Sequence, residues 1–236
     1  MFDHMSAIAI IPARGGSKRI PRKNIKQFHG RPMIAWTIEH AIESNLFEEV
    51  IVSTDDPEIA SISKEHGAII RDFRPHYLSD DNATLLDVMN YEAKRMIERQ
   101  LKPMDILCCL YPASPLLNFD VVRRGLRIVN DKHADYAISV KEFEQSPLRA
   151  LEKDESGFVK YKFPENSNSR SQDLQTLYAD AGQFTIASID TWARNNSNLN
   201  GSIYPIVLGK YEAIDIDDIN DWHIAEEIFE MRSKNI

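Results

Sequence analysis

Ala7-Ile-Ala-Ile-Ile-Pro12-Ala13-Arg14-Gly15-Gly16-Ser17-Lys18-Arg19-Ile20-Pro21-Arg22-Lys23-Asn24 is the stretch whose reading decides the fold. An apolar, β-branched run stops at a glycine pair and passes into a dense cationic segment. Arg14, Lys18, Arg19, Arg22, Lys23, Lys26 and Arg31 follow one another with no carboxylate between them, in a chain whose net charge is −8. Residues 6–12 read as a strand buried on both faces, as in the middle of a parallel sheet. The loop after it reads as a wrap around a polyphosphate. Gly15 and Gly16 let the backbone turn sharply and bring its N–H groups close to an anion, and the Lys and Arg side chains neutralise its charge. A solvated basic loop is the plainer alternative. Position favours the phosphate reading, because ligands of open α/β sheets sit at the carboxyl ends of the strands.

Working outward, strand and helix signals alternate. Pro32 opens a helix that runs to about Ser44, with Pro at its first position. A strand follows at 50–53, then a helix at 57–65 capped by Asp55 or Asp56 and closed by Gly67. A third strand is expected at 68–70, a helix at 85–100, a strand at 104–110, a helix at 119–130 and strands at 136–140 and 203–207. Short alternating spacings of this kind predict an α/β fold: a Rossmann-like, doubly wound and mainly parallel sheet. Between 141 and 177 the periodicity weakens. Leu148–Leu151 and Phe158–Phe163 alternate like a small hairpin, and the rest is polar and irregular, as in an insertion with a task of its own. The expected division is therefore 1–140 with 178–236 as one domain and 141–177 as an insertion.

Composition narrows the function. An acidic chain lacks the basic surface that general nucleic-acid binding requires, yet a small anionic ligand in a locally basic cleft remains compatible. Cys108 and Cys109 are adjacent in an apolar run and read as core thiols of a reducing compartment. Neither a secretory leader nor a long uncharged apolar span is evident, so a cytoplasmic protein without a membrane partner is expected.

The loop is neither Gly-x-Gly-x-x-Gly nor Gly-x-x-x-x-Gly-Lys-Ser/Thr, so the dinucleotide and Walker A readings fail. Ala13-Arg14-Gly-Gly-Ser17-Lys18-Arg-Ile-Pro21-Arg-Lys23-Asn24 instead resembles the opening signature of the CMP-sialic acid synthetases (acylneuraminate cytidylyltransferases). The resemblance continues through Arg74-Pro75, through Leu78 to Thr84, and through Tyr111-Pro112-Ala113-Ser114-Pro115-Leu116-Leu117, where Tyr111 and Leu117 replace the family's Gln and Arg. Ser171-Gln172-Asp173-Leu174 and Tyr178-Ala-Asp180-Ala-Gly-Gln183-Phe184 resemble the pseudaminic acid branch, with Gln175 and Thr185 as departures. Ile214-Asp215-Ile216-Asp217 closes the series.

The resemblance implies transfer of CMP from CTP to a nine-carbon sugar acid with release of pyrophosphate, pseudaminic acid being the first choice. N-acetylneuraminic, legionaminic or 3-deoxy-octulosonic acid, or a non-catalytic nucleotide-binding role, are the alternatives. It implies CTP contacts from Ala13, Arg14, Gly15, Gly16, Ser17, Lys23, Asn24, Arg74, Asp81, Asn82, Thr84, Pro112, Ala113 and Ser114. Helix capping by Ser79, Asp81 or Asn82 is an equal reading of the middle segment. Sugar contacts are expected from Tyr111, Arg170, Gln172, Asp173, Asp180 and Gln183, with turn chemistry as the other reading of Asp173 and Asp180. Alternation places Asp215 and Asp217 on one face of an extended segment, where two carboxylates suit a hard Mg²⁺; the plainer reading, and the less favoured one, makes Asp217 or Asp218 the cap of the last helix, whose inner face would be Ile219, Trp222, Ala225 and Phe229. Arg14, Lys23, Asp215 and Asp217 form the expected catalytic set. The family's insertion exchanges between two subunits, which implies a homodimer.

Overall fold

The computed structural model describes residues 7–80, 82–102, 105–194 and 199–234. Its elements in chain order are β1 (Ala7–Pro12), β2 (Gln27–Phe28), β3 (Arg31–Pro32), α1 (Met33–Glu43), β4 (Glu49–Ser53), α2 (Pro57–Glu65), α3 (Leu85–Glu98) and β5 (Ile106–Leu110). There follow α4 (Phe119–Asn130), β6 (Tyr136–Glu142), β7 (Leu151–Lys153), β8 (Val159–Tyr161), β9 (Tyr178–Ser188), α5 (Ile189–Arg194), β10 (Ile203–Val207) and α6 (Ile219–Ser233).

β1 is buried from Ala7 to Ile11 because it lies between two parallel neighbours, β4 (Ile8 opposite Glu49) and β5 (Ala7 opposite Ile106). The six-stranded sheet has the order β10-β6-β9-β5-β1-β4. Its β10–β6 pair is parallel as well, whereas β9 runs antiparallel to both β5 and β6. Ile11, Cys108 and Leu110 point to one face, under Ile34 and Ile38 of α1 and Val122 and Leu126 of α4. Ile8, Ile10, Leu107 and Cys109 point to the other, under Met89, Ala93 and Met96 of α3 and Trp192 of α5. Helices thus cover both faces, which is why the central strands carry no polar alternation. Both cysteines are free and buried, and burial pushes both thiols up.

Three expectations change. The strand foreseen at 68–70 shrinks to a single parallel bridge, Ile51 to Ile69, because the chain turns away to place the Arg74 N–H on the Thr54 carbonyl at 2.8 Å. Pro32 lies just before α1 and not at its first position. The inner face of α6 holds Trp222, Ala225 and Phe229 as expected and adds Ile228, while Ile219 is exposed. Met104 and Ser6, foreseen as strand residues, lie outside the described residues.

α6 anchors the site end of the molecule. Trp222 and Phe229 meet Phe28 edge-on at 5.4 Å, and Trp36 packs on Phe229 at 4.6 Å. Ile20 of the basic loop and Ile216 of the acidic segment join the same cluster. At the other extreme, not one residue from 143 to 177 is buried. Among the described residues no helix is long and apolar enough to cross a membrane.

Candidate active site

Because β1, β4, β5 and β6 run parallel and β9 opposes them, their carboxyl ends and the amino end of β9 meet along one edge. The basic loop leaves β1 there. Ala13 is buried and extends the ladder by one bond, its N–H to the Ser53 carbonyl at 2.9 Å. Asn24 is buried at the far end of the loop, and its side-chain amide donates to the Arg14 carbonyl at 3.1 Å. The Gly15 N–H points to Asp55 Oδ1 at 3.4 Å, and a Cβ on Gly15 would collide with the Asp56 carboxylate. Gly16 faces open space, and the Ser17 N–H turns back onto the Gly15 carbonyl at 3.1 Å. Arg14 donates to the Asp80 carbonyl at 3.0 Å, joining this loop to the segment before α3.

Across the cleft stands the acidic segment. The Lys23 ammonium donates to the Ile216 carbonyl. Burial holds its pKa below the usual lysine value, against the raising fields of Asp217 and Asp215. Burial also raises the Asp215 carboxyl, as does the neighbouring charge of Asp217, with Asp180 adding to it and Lys23 and Lys141 opposing it. Asp217 pairs with Arg19 at 2.7 Å. The capping question is settled: Asp218 caps α6, accepting from the Asn220 and Asp221 N–H groups at 2.7 and 3.1 Å, so the Asp217 side chain is left to the cleft. Gly182 sits at φ 62°, and a Cβ there would stand 2.9 Å from the Asp215 carboxylate, so the strand can pass this close only as glycine. Asp180 accepts from the Gly182 N–H at 2.8 Å, the turn chemistry weighed for it, and its charge is felt at Asp215 and at Tyr111. Tyr111 is half-buried beside them, with its phenol pushed up by burial.

Other anticipated residues fall into distinct places. Arg74 is buried, its Nε donates to Ser79 Oγ at 3.1 Å, and its guanidinium lies 3.8 Å from Asp55. Burial lowers its pKa. The cap of α3 is Thr84, and not Ser79, Asp81 or Asn82; it forms a reciprocal box with Asp87, whose carboxyl is pulled down by both Thr84 bonds. Asn82 is exposed, with its N–H on Asp80 Oδ1 at 2.9 Å, and Asp81 lies outside the described residues. Thr37 of α1 gathers the 111–114 turn, donating to the Pro112 carbonyl at 3.2 Å and accepting from the Ser114 N–H at 3.4 Å. Ala113 packs against the cluster beneath α6, while Ser114 Oγ is buried and, among the described residues, has no partner. Gln183 is buried, its side-chain nitrogen donates to the Ile214 carbonyl at 2.9 Å and its Oε1 has no partner among the described residues; it supports the acidic segment from behind. Arg170, Gln172 and Asp173 are exposed and, among the described residues, make no side-chain bond to this cleft.

The sequence reading passed over the carboxylates on the β4 side. It weighed Asp55 and Asp56 only as caps; Asp56 does cap α2, yet both also touch the basic loop. Their place directly after a strand that neighbours β1 was the available signal. Among the described residues no three His, Cys, Asp or Glu side chains converge as a ready metal cage.

A family model described as cytidylyltransferase matches residues 8–185. The chain belongs to the cytidylyltransferase family. Among its relatives is the pseudaminic acid cytidylyltransferase of Campylobacter jejuni, 36% identical over 98% of this chain and 99% of that protein. A Helicobacter pylori protein named pseudaminic acid cytidylyltransferase and UDP-2,4-diacetamido-2,4,6-trideoxy-beta-L-altropyranose hydrolase is 39% identical over 94% of this chain, which spans only 42% of its length. A solved CMP:2-keto-3-deoxy-manno-octonic acid synthetase, complexed with CTP, superimposes with a TM-score of 0.70 at 16% identity, covering 96% of this chain and 99% of that one. At that identity the likeness speaks for the fold.

Proposed function

We propose that this cytidylyltransferase transfers CMP from CTP to a nine-carbon 2-keto sugar acid, pseudaminic acid in the first place, and releases pyrophosphate. The observation that carries the reading is the placement of Lys23: a desolvated cation between the glycine loop and the Asp215–Asp217 pair. The names of the full-length relatives support the sugar.

In this reading the anomeric hydroxyl attacks the α-phosphorus in line. One P–O bond forms, the bond to the β-phosphate breaks, the electron pair leaves on pyrophosphate, and the hydroxyl proton is lost to solvent. Positioning and charge neutralisation are the protein's main tasks. Gly15 and Gly16 let the backbone of the loop approach the phosphates closely, and Arg14 and Lys23 supply positive charge for the leaving pyrophosphate. Arg74, Asn82, the 111–114 turn and Asn24 frame the cytidine side. Asp215 and Asp217 present oxygen donors whose mutual repulsion a cation would relieve, so they fit Mg²⁺ and would be the residues that hold it. When bound, the ion would screen the α-phosphate and acidify the attacking hydroxyl.

The segment 143–177 supports a homodimer. Leu151, Phe158, Val159 and Tyr161 of its hairpin are exposed, Phe158 by 76%, with no core of their own. A groove of about 690 Å³ sets Phe143, Val207, Tyr211, Ile214, Ile224 and Ile228 among Lys141, Glu142, Glu144 and Lys210 and offers a second, partly apolar surface. A second copy would cover both and bring Arg170, Gln172 and Asp173 to a sugar pocket beside Tyr111 and Asp180. The free buried thiols suit the cytoplasm.

The test is pyrophosphate release with CTP, Mg²⁺ and a panel of nonulosonic acids, the other nucleoside triphosphates serving as controls. Release with CTP and pseudaminic acid is expected. Release with another acid would change the substrate and keep the reaction; CTP binding without release on any acid would overturn the enzymatic reading.

A further inference from the structure

Asp56 touches the basic loop at both of its ends. At the start, Gly15 lies so close to its carboxylate that no side chain fits between them. At the end, Arg22 donates to both Asp56 oxygens and to Glu58. Arg22 occupies the left-handed region at φ 57°, ψ 31°, a conformation that glycine adopts freely and a side-chain-bearing residue holds only where its surroundings impose it. The next residue is Lys23, whose ammonium reaches Ile216 between the two cleft carboxylates. Asp56 is itself held in place. Its N–H donates to Thr54 Oγ1 at 3.1 Å, and its Oδ1 caps α2 by accepting from the Glu58 and Ile59 N–H groups at 2.9 and 3.0 Å. One carboxylate, fixed by the start of a helix, therefore sets the distance between the two ends of the loop.

We propose that Asp56, acting through Arg22, is the positioning residue of the triphosphate loop: it holds Arg22 left-handed and so aims Lys23 across the cleft. The inference rests on the reading that this loop binds CTP. A negative charge beside an anion-binding loop would weaken binding through its field alone. Here the guanidinium pairs with it directly, so the carboxylate shapes the backbone with its field at the phosphate reduced. The arrangement also separates two roles that one residue usually combines: capping needs only an oxygen at position 56, whereas holding Arg22 needs the charge.

That separation supplies the experiment. Asp56→Asn keeps a capping oxygen and loses the ion pair. Arg22→Gly keeps the left-handed backbone available and loses the guanidinium. CTP dissociation constants are measured by calorimetry for the wild type, both variants and the double variant, with melting temperatures beside them. Asp56→Asn is expected to bind CTP about tenfold more weakly, the loss of one charge-assisted contact, with its melting temperature within about 2 °C of the wild type. In turnover the KM for CTP rises and the KM for the sugar acid does not. The double variant should be no weaker than the weaker single one, because the residues act as a unit. Wild-type affinity in Asp56→Asn, or single effects that multiply in the double variant, overturns the inference while leaving the functional reading intact. A wild type that fails to bind CTP sinks that reading and the inference with it. Should Asp56→Asn not fold, Arg22→Gly alone decides, since it is expected to lose the same tenfold.

Discussion

The loop at 13–24 and the segment at 143–177 both leave the ends of sheet strands, and they are built in opposite ways. The loop buries Ala13, Ile20 and Asn24, closes on itself through the Asn24–Arg14 bond, and is tied to β4 and to the acidic segment. The longer segment buries nothing and turns Leu151, Phe158 and Val159 outward. Fixing a residue's backbone costs about 1–2 kcal/mol, which bonds and burial offset in the loop. In the segment little within the same chain does so. The difference teaches that one wall of the cleft is held together by its own chain, whereas the other segment carries apolar side chains that its own chain leaves uncovered.

The strongest way to break this comparison is to strike the complete wall. Lys23→Ala and Asp215→Ala should each lower pyrophosphate release by about a thousandfold, the scale of a removed charge-stabilising group, while light scattering reports an unchanged assembly. Normal turnover in either variant would take that residue out of the mechanism. Striking the other wall should have the reverse signature. Phe158→Glu is expected to weaken self-association by about a hundredfold, the cost of losing an aromatic anchor, with CTP affinity retained; a dimer that survives it would place the interface elsewhere. The smallest effect sharpens the contrast on the loop side alone. Thr84→Ala should cost about 1 kcal/mol in denaturant unfolding. Asp87 has a depressed pKa through the same cap, so its contribution is present above the ordinary carboxylate value and fades as pH falls through the folded one. The Thr84→Ala penalty should therefore shrink in acid, and a penalty that grows there would refute the cap.

Much of this was legible in the sequence because it is local. The run 7–12, the Gly15-Gly16 break, Pro57 with an acidic cap before it, and Gly67 after α2 each carry their cause within a few residues. β9 was not legible. Its first half, Tyr178 to Gln183, is polar because it lines the cleft, and its second half is apolar on successive residues because it lies between two strands, so neither alternates. Ile69 failed for the opposite reason: a good strand signal lost to the pull of a neighbouring loop on Arg74. In the cleft, Lys23, Asp215 and Asp217 were named from charge and motif, but the bond from Lys23 to the Ile216 carbonyl between the two carboxylates was not. The contacts of Asp56 with Gly15 and Arg22 span some 34–41 positions of chain, and no local pattern announces them.

β9 has one more consequence. Glu142 at the end of β6 stands opposite Tyr178 at the start of β9, and the Phe143 N–H reaches the Leu177 carbonyl at 3.1 Å. The two strands are therefore the arms of one giant hairpin, and everything from 143 to 177 is its tip. Since the arms already meet, the tip could be shortened to a tight turn, lengthened or exchanged without altering a single register in the sheet. The architecture makes the exposed segment a replaceable cartridge, free to diversify while the sheet edge that carries the cleft stays fixed.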